Sequence, residues 1–266
     1  MGCSKTLYKV LSKNKIKLIR SLDLKKNRLA TGLSLAEGKK LIFDLLTSKI
    51  EIAEVFCTNL IYSELNYYKI DFKIEIADKE ELSRISFLKT TPDIIAIFKI
   101  PEFVIDWKEI SGDLTLVLDT IQDPGNMGTI VRLADWFGIR NIICSESCAD
   151  LYNPKVIQAT MGAFARVKVH YVSLPWFMNQ AKQLNIPIYG AFMEGESLYE
   201  CALTVNGLVV MGNEGNGISA ENASYVTRKI NIPSYPPGIV TSESLNVAMA
   251  TSAICYEFRR RIICKD

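Results

Sequence analysis

The sequence predicts an α/β protein: a small α/β domain, then a larger domain built on a parallel sheet covered by helices on both faces. Three observations carry this. Apolar runs of strand length alternate with helical stretches along most of the chain, the pattern of a parallel sheet. Clusters of polar and glycine residues follow three of the predicted strands, where open α/β sheets bind their ligands. The 266 residues are 48% hydrophobic and 23% charged, enough core for one large domain or two modest ones.

In chain order, NKIKLIRSLDLKKNR reads as a basic helical segment. LSLAEG is a short strand leading into the helix KKLIFDLLTS. IAEVFCTN and FKIEIAD are strands, KEELSRIS opens a helix, and DIIAIFKI is a buried strand. This first unit spans residues 1–100. PEFVIDWKEISGD has weak periodicity and carries Pro101 and Gly112, so 101–112 reads as a linker. Residues 113–266 form the second domain. Its strands are LTLVLDT, NIICSES, KVHYVS, IPIYGAF, GLVVMGN and KINIPS. The helical stretches are MGTIVRLADWFG, PKVIQATMGAF, PWFMNQAKQLN, SAENASYV and a closing SLNVAMATSAICYEFRRR. There is no internal repeat and no low-complexity segment.

Net charge is only +2, but its distribution is uneven. Residues 1–28 hold nine Lys or Arg and one acid, Asp23, leaving 22 of 31 bases and 28 of 29 acids for the rest. A basic arm on a mildly acidic body suits a polyanion, and equally suits a solvated amphipathic helix. Seven scattered cysteines without a CxxC pair read as free thiols in a reducing, cytoplasmic setting. His170 is the one histidine, which counts against a Ser–His–Asp triad and a His-rich zinc site. Alternation in VKVHYV places it on the polar face of a strand. No apolar run approaches the length of a membrane span. The opening MGCSKT matches the N-myristoylation spacing, a short pattern that also arises by chance.

The first polar cluster, DTIQDPGNMGTIVRLADWFG at 119–138, packs Asp119, Gln122, Asp123, Asn126 and Arg132 into a turn and the helix after it. Gly125 and Gly128 read as permitting that turn. The second, MGNEGNGIS at 211–219, has the spacing G-x-x-G-x-G, a dinucleotide fingerprint reversed, and no acid stands about twenty residues on. A nicotinamide oxidoreductase is therefore opposed. In the third, IPSYPPGIVTSESLNVAMA at 232–250, Ser242 or Ser244 reads as a helix N-cap, with Asn246 in the first turn.

Taken together, these motifs resemble the SpoU (TrmH-like) family of the SPOUT RNA methyltransferases. DPGNMGTIVRLADWFG is similar to its first motif, LVVMGNEGNGIS to the second, and INIPSYPPGIVTSESLNVAMATSAICYE to the third. QATMGAF resembles an intervening segment in which Ser is usual where Thr160 stands. Residues 1–100, through KKNRLATGLSLAEGKKLI and TTPDIIAIFKI, resemble the family's RNA-binding domain, related to ribosomal protein L30e, with Leu35 and Asp93 departing mildly. The resemblance implies methyl transfer from S-adenosyl-L-methionine to a ribose 2′-hydroxyl of RNA, without a metal. Ribosomal RNA is the expected substrate; transfer RNA, or RNA binding without catalysis, are the alternatives. It also implies a C-terminal trefoil knot and a homodimer with its site at the subunit interface. By the same resemblance Arg132 handles the reacting ribose with Asn126 orienting it, Glu214 supports the site, and Ser244 and Asn246 complete a polar wall. Gly212, Ile232 and Leu245 are the implied cofactor-binding residues.

Overall fold

The computed structural model describes residues 11–65, 67–68, 70–236, 239 and 242–263. The MGCSKT pattern, Cys3, Lys5, Lys9, Pro237 and Cys264 lie outside them. The chain divides into two compact units, Met1–Glu102 with Tyr152–Ala165, and Phe103–Leu151 with Arg166–Asp266.

The first unit runs α1 (Lys13–Ser21), α2 (Lys25–Thr31), β1 (Leu33–Glu37), α3 (Lys39–Leu46), β2 (Ile52–Cys57), α4 (Asn59–Leu65), β3 (Lys73–Ile76), α5 (Lys79–Ile85) and β4 (Ile94–Lys99). Its sheet has the order β1-β4-β2-β3; β4 is antiparallel to both neighbours, while β2 and β3 are parallel. Ile19 and Leu22, from the segment read as a basic arm, are fully buried, and they pack with Leu35, Phe56, Ile95 and Ile97. Three of the arm's cations are satisfied inside the unit. The Arg28 guanidinium is 2% exposed and donates to the carbonyls of Leu22 and Asp23 at 2.6 and 2.7 Å. Lys15 pairs with Glu54, and Arg20 donates to the Ser86 carbonyl. The segment is thus an integral layer of the unit, and the cations it turns to solvent include Lys13, Lys17 and Lys26.

The second unit continues with α6 (Trp107–Gly112), β5 (Leu114–Leu118), α7 (Pro124–Trp136) and β6 (Asn141–Cys144). The helix α8 (Pro154–Thr160) groups with the first unit, so the second unit is not continuous in sequence. Then follow β7 (Lys168–Tyr171), α9 (Leu174–Gln183), β8 (Ile188–Ser197), β9 (Gly207–Met211), α10 (Ala220–Ala223), β10 (Arg228–Asn231) and α11 (Val247–Ile263). The sheet order is β10-β8-β9-β5-β6-β7, and every pairing is parallel. All five residues of β5 and of β9 are buried, which is why both read as unbroken apolar runs. Val117, Ile143, Ile188, Leu208 and Val210 pack on one face with Phe177 and Met178 of α9 and Ile110 of α6. The opposite face carries Tyr189, whose ring meets Phe258 of α11 at 5.1 Å.

Two expectations fail here for one reason. The stretch read as a linker contains α6, capped by Asp106 accepting from Lys108 N, and Trp107 stacks on Phe177 at 5.0 Å. The same stretch covers the outer strand β7, so His170 is 5% exposed rather than solvent-facing. Its Nε2 lies 3.3 Å from Asn141 Oδ1, and its ring meets Phe103 edge-on at 6.2 Å. Glu109 Oε2 accepts from Asn141 Nδ2 and Lys168 Nζ beside it. Burial, then the Lys168 charge, holds the His170 pKa below its ordinary value, against weaker opposition from the Phe103 backbone and Glu109.

That shift fixes a sign. The unfolded chain takes up the proton near the ordinary value, about 6.5, before the folded one does. The stabilisation is therefore present above that value and lost as pH falls through it toward the folded pKa. The urea midpoint of wild type relative to His170→Gln should fall between pH 7 and pH 5; a difference that does not change with pH would show that His170 does not carry the effect.

Candidate active site

In the second sheet the chain runs outward from β5 through β6 to β7, then crosses to build β8, β9 and β10 on the other side of β5. The order reverses between β5 and β9, and ligands of such sheets bind outside the carboxyl ends of strands at that reversal. The first two polar clusters leave the sheet there, after Leu118 and after Met211.

The turn after β5 is made without glycine. Gly125 and Gly128 lie within α7, and the left-handed residue is Thr120, with φ +60°. A β-branched residue in that region costs about 1–3 kcal/mol and must be held there by its surroundings. Thr120 N donates to Ser145 Oγ at 2.9 Å, its Oγ1 to Asp119 Oδ1 at 3.1 Å, and its carbonyl accepts from Asn213 Nδ2 at 2.9 Å. Asp119 is itself buried, and its Oδ2 accepts from Ser219 N and Asn222 Nδ2, each at 2.8 Å. Burial acts to raise its pKa, but the bonds from Asn222, Ser219 and Thr120 win and lower it, so the carboxylate stays charged. Asp123 then caps α7 by accepting from Asn126 N at 2.7 Å, with Pro124 opening the helix.

After β9, Gly212 presses against its own chain. A Cβ there would stand 2.1 Å from the Gly217 carbonyl carbon and 2.2 Å from Ile218 N. Glycine at 212 is required by this backbone packing, a reason additional to any ligand. Asn213 and Gly217 exchange backbone bonds of 3.0 and 2.8 Å, closing a short loop with Glu214 in it, and Gly217 takes φ +67°.

Glu214 gathers the motifs. Its Oε1 accepts from Asn126 Nδ2 at 3.0 Å, Asn246 Nδ2 at 2.6 Å and Val247 N at 3.2 Å. Asn246 Nδ2 also donates to Asn126 Oδ1 at 3.0 Å, while its own Oδ1 accepts from Ala248 N and Met249 N. Asn246 is thus the N-cap of α11, a role expected of Ser242 or Ser244, and the helix begins at Val247. A cavity of about 310 Å³ opens beside this group, lined by Gln122, Asp123, Asn126, Asn213, Glu214 and Val247.

Of the five residues expected in the reaction, the structure brings three together: Asn126, Glu214 and Asn246. Ser244 is exposed and makes no hydrogen bond among the described residues. Arg132 is exposed on α7 and is likewise without a partner among them. Six residues after Asn126, it lies about 9 Å along the helix and about 120° around it. Gly212 and Ile232 directly follow β9 and β10, and Leu245 is 52% exposed next to the Asn246 cap. Sequence reading missed Asn213 and Thr120. The Asn-Glu pair between glycines was the available signal for the first; nothing local marks a threonine for a left-handed turn.

Comparison with known proteins supplies the lineage. Residues 113–256 match the SpoU rRNA Methylase family, and residues 13–96 match the MRM3-like substrate binding domain. The 23S rRNA (guanosine(2553)-2′-O)-methyltransferase RlmP of Bacillus subtilis is 28% identical, the alignment covering 92% of this chain and 96% of the relative. A TrmH-family structure from Porphyromonas gingivalis superposes with a TM-score of 0.85 at 38% identity, over 95% of this chain and 100% of that one. The SpoU methyltransferase AviRb of Streptomyces viridochromogenes, solved with AdoMet, has the same fold: TM-score 0.84 at 21% identity, over 96% and 100% of the chains. With three motif segments meeting at one carboxylate and a family match over more than half its length, this chain belongs to the SpoU rRNA methylase family.

Proposed function

We propose that this protein is an RNA 2′-O-ribose methyltransferase that uses S-adenosyl-L-methionine and acts on ribosomal RNA. The observation that carries the reading is the convergence of Asn126 and Asn246 on one oxygen of Glu214 at the sheet's reversal point, in a SpoU-family chain. The 2′-O-methylated 23S rRNA in the name of the Bacillus relative supports ribosomal over transfer RNA.

The residues present suit the cofactor. Leu245 leaves half its surface bare on a segment anchored by the Glu214 bonds, and Ile232 is half-buried at the end of β10. Both offer apolar surface that a purine would cover. When bound, the cofactor supplies a methyl group on a sulfonium, open to in-line attack by an alcohol oxygen. The chain's task is to position that alcohol and to stabilise charge developing on its oxygen. Asn126 is held rigidly, its amide fixed at both ends by Glu214 and Asn246. Arg132 supplies the cation. A guanidinium stays protonated, so it grips RNA phosphate and stabilises the oxygen rather than removing its proton.

Arg132 acts, in this reading, in a homodimer. It is exposed and lies about 120° around α7 from Asn126, and in this reading a second copy completes each site. Trp136, one turn along the same face of α7, is 83% exposed. Met249 and Tyr256 of α11, which packs along α7, are 64% and 59% exposed. Arginine among exposed aromatic and methionine side chains is the composition of an interface core.

Arg132→Ala should lower single-turnover methyl transfer about a hundredfold or more while calorimetric adenosylmethionine binding stays near wild type. Near-normal turnover would reduce Arg132 to a surface cation. Mixing Arg132→Ala with Asn126→Ala subunits should restore activity, because one of the two sites in each mixed dimer is then intact; no recovery in a verified mixed dimer would refute the shared site.

The RNA affinity of the first unit should rest on its solvent-facing lysines. Lys13→Glu, Lys17→Glu and Lys26→Glu together should weaken RNA binding and flatten its salt dependence by about one unit of log–log slope for each RNA phosphate no longer neutralised. Truncation is the wrong test, since it removes Ile19 and Leu22 from the core. An unchanged slope would exclude this face.

A further inference from the structure

We infer that Asn213 is a positioning residue for methyl transfer, acting through Glu214. The inference rests on reading this pocket as the methyl-transfer site.

Glu214 is exposed and sits near the tip of a loop, a place where a carboxylate ordinarily samples many positions. Here one of its oxygens must stand where Asn126, Asn246 and Val247 all reach it. Those three donors belong to α7 and the start of α11 and hold Glu214 from outside the loop, whose base is closed by the Asn213–Gly217 backbone bonds; something must also hold the loop from within. Asn213 does. Its Oδ1 accepts from Gly215 N at 2.9 Å and Asn216 N at 3.3 Å, which folds the loop around Glu214. Its Nδ2 donates to the Thr120 carbonyl at 2.9 Å, which ties the loop to the end of β5.

Only an amide of this length meets both demands. Aspartate keeps the acceptor and sets a charged oxygen against a carbonyl. Serine is too short to span from the loop N–H groups to Thr120. Glutamine adds a methylene to a span that is already closed. The carbonyl on the far side is equally specified. Thr120 faces Asn213 in its left-handed conformation, held by Ser145 and Asp119, with Ser147 Oγ 3.0 Å from its hydroxyl. A strained residue fixed from so many directions, bonded to the residue that precedes the shared carboxylate, belongs to the positioning of that carboxylate.

The test is a double-mutant cycle of Asn213→Asp and Glu214→Ala, read by single-turnover methyl transfer, RNA KM, adenosylmethionine affinity and melting temperature. Asn213→Asp should lower the rate constant at least thirtyfold with KM within about threefold of wild type and the melting temperature nearly unchanged. The double variant should be little slower than the slower single one, since both changes disable the same carboxylate. A wild-type rate in Asn213→Asp, or rate losses that multiply in the double variant, would overturn the inference. If Asn213→Asp fails to fold, Asn213→Ser takes its place under the same criteria. A wild-type rate in Glu214→Ala would instead refute the site reading itself, and the inference with it.

Discussion

Glu214 Oε1 is the point at which three distant parts of the second unit are tied together. Asn126 comes from the helix after β5, Glu214 from the loop after β9, and Asn246 and Val247 from the start of the last helix. A hydrogen bond to a charged group contributes about 1.5–3 kcal/mol when well made, and less where water competes. Three such bonds on one exposed oxygen add modestly to global stability. Their weight is geometric. Each asparagine amide is fixed at both ends, so neither can turn over without breaking two bonds. The arrangement is rigid although it lies at the surface.

Rigidity at this point is supported from below. The buried Asp119 carboxylate anchors the N-terminal end of α10 through Ser219 and Asn222, and steadies Thr120 in its unfavourable backbone conformation. The parallel sheet supplies the foundation, because β5 and β9 are neighbours whose carboxyl ends emerge side by side. The fold thus delivers two loops to one place, and local polar bonding decides where each stops.

Much of this was legible in the sequence. Among the described residues, β5 and β9 are recognisable as unbroken apolar runs because every residue in them is buried, while β3 and β10 are read through the charged residues that interrupt them. The motif residues Asn126, Glu214 and Asn246 could be singled out, and they meet. What escaped reading depends on contacts between residues far apart in sequence. His170 alternates with apolar neighbours as a solvent-facing residue would, and is buried because residues 103–109 cover it. Arg28 counts as one more cation of a basic segment, yet its charge is satisfied internally by two carbonyls. Charge totals record how many cations a segment has and not which way they face. Thr120 defeats propensity outright, because a left-handed turn ordinarily asks for glycine or asparagine.

The position of Arg132 follows from helix geometry alone. Six residues of α-helix separate two side chains by about 9 Å and about 120°, so Asn126 and Arg132 leave α7 on different faces. An enzyme could move the arginine to a different position on the helix. The alternative is to keep the spacing and close the site with a second copy. The spacing here, with Trp136 exposed beside Arg132 and the Asn126 amide locked toward Glu214, fits the second solution. On the proposed reading, a lone subunit then lacks its charge-stabilising group, and catalysis is coupled to assembly without any moving part.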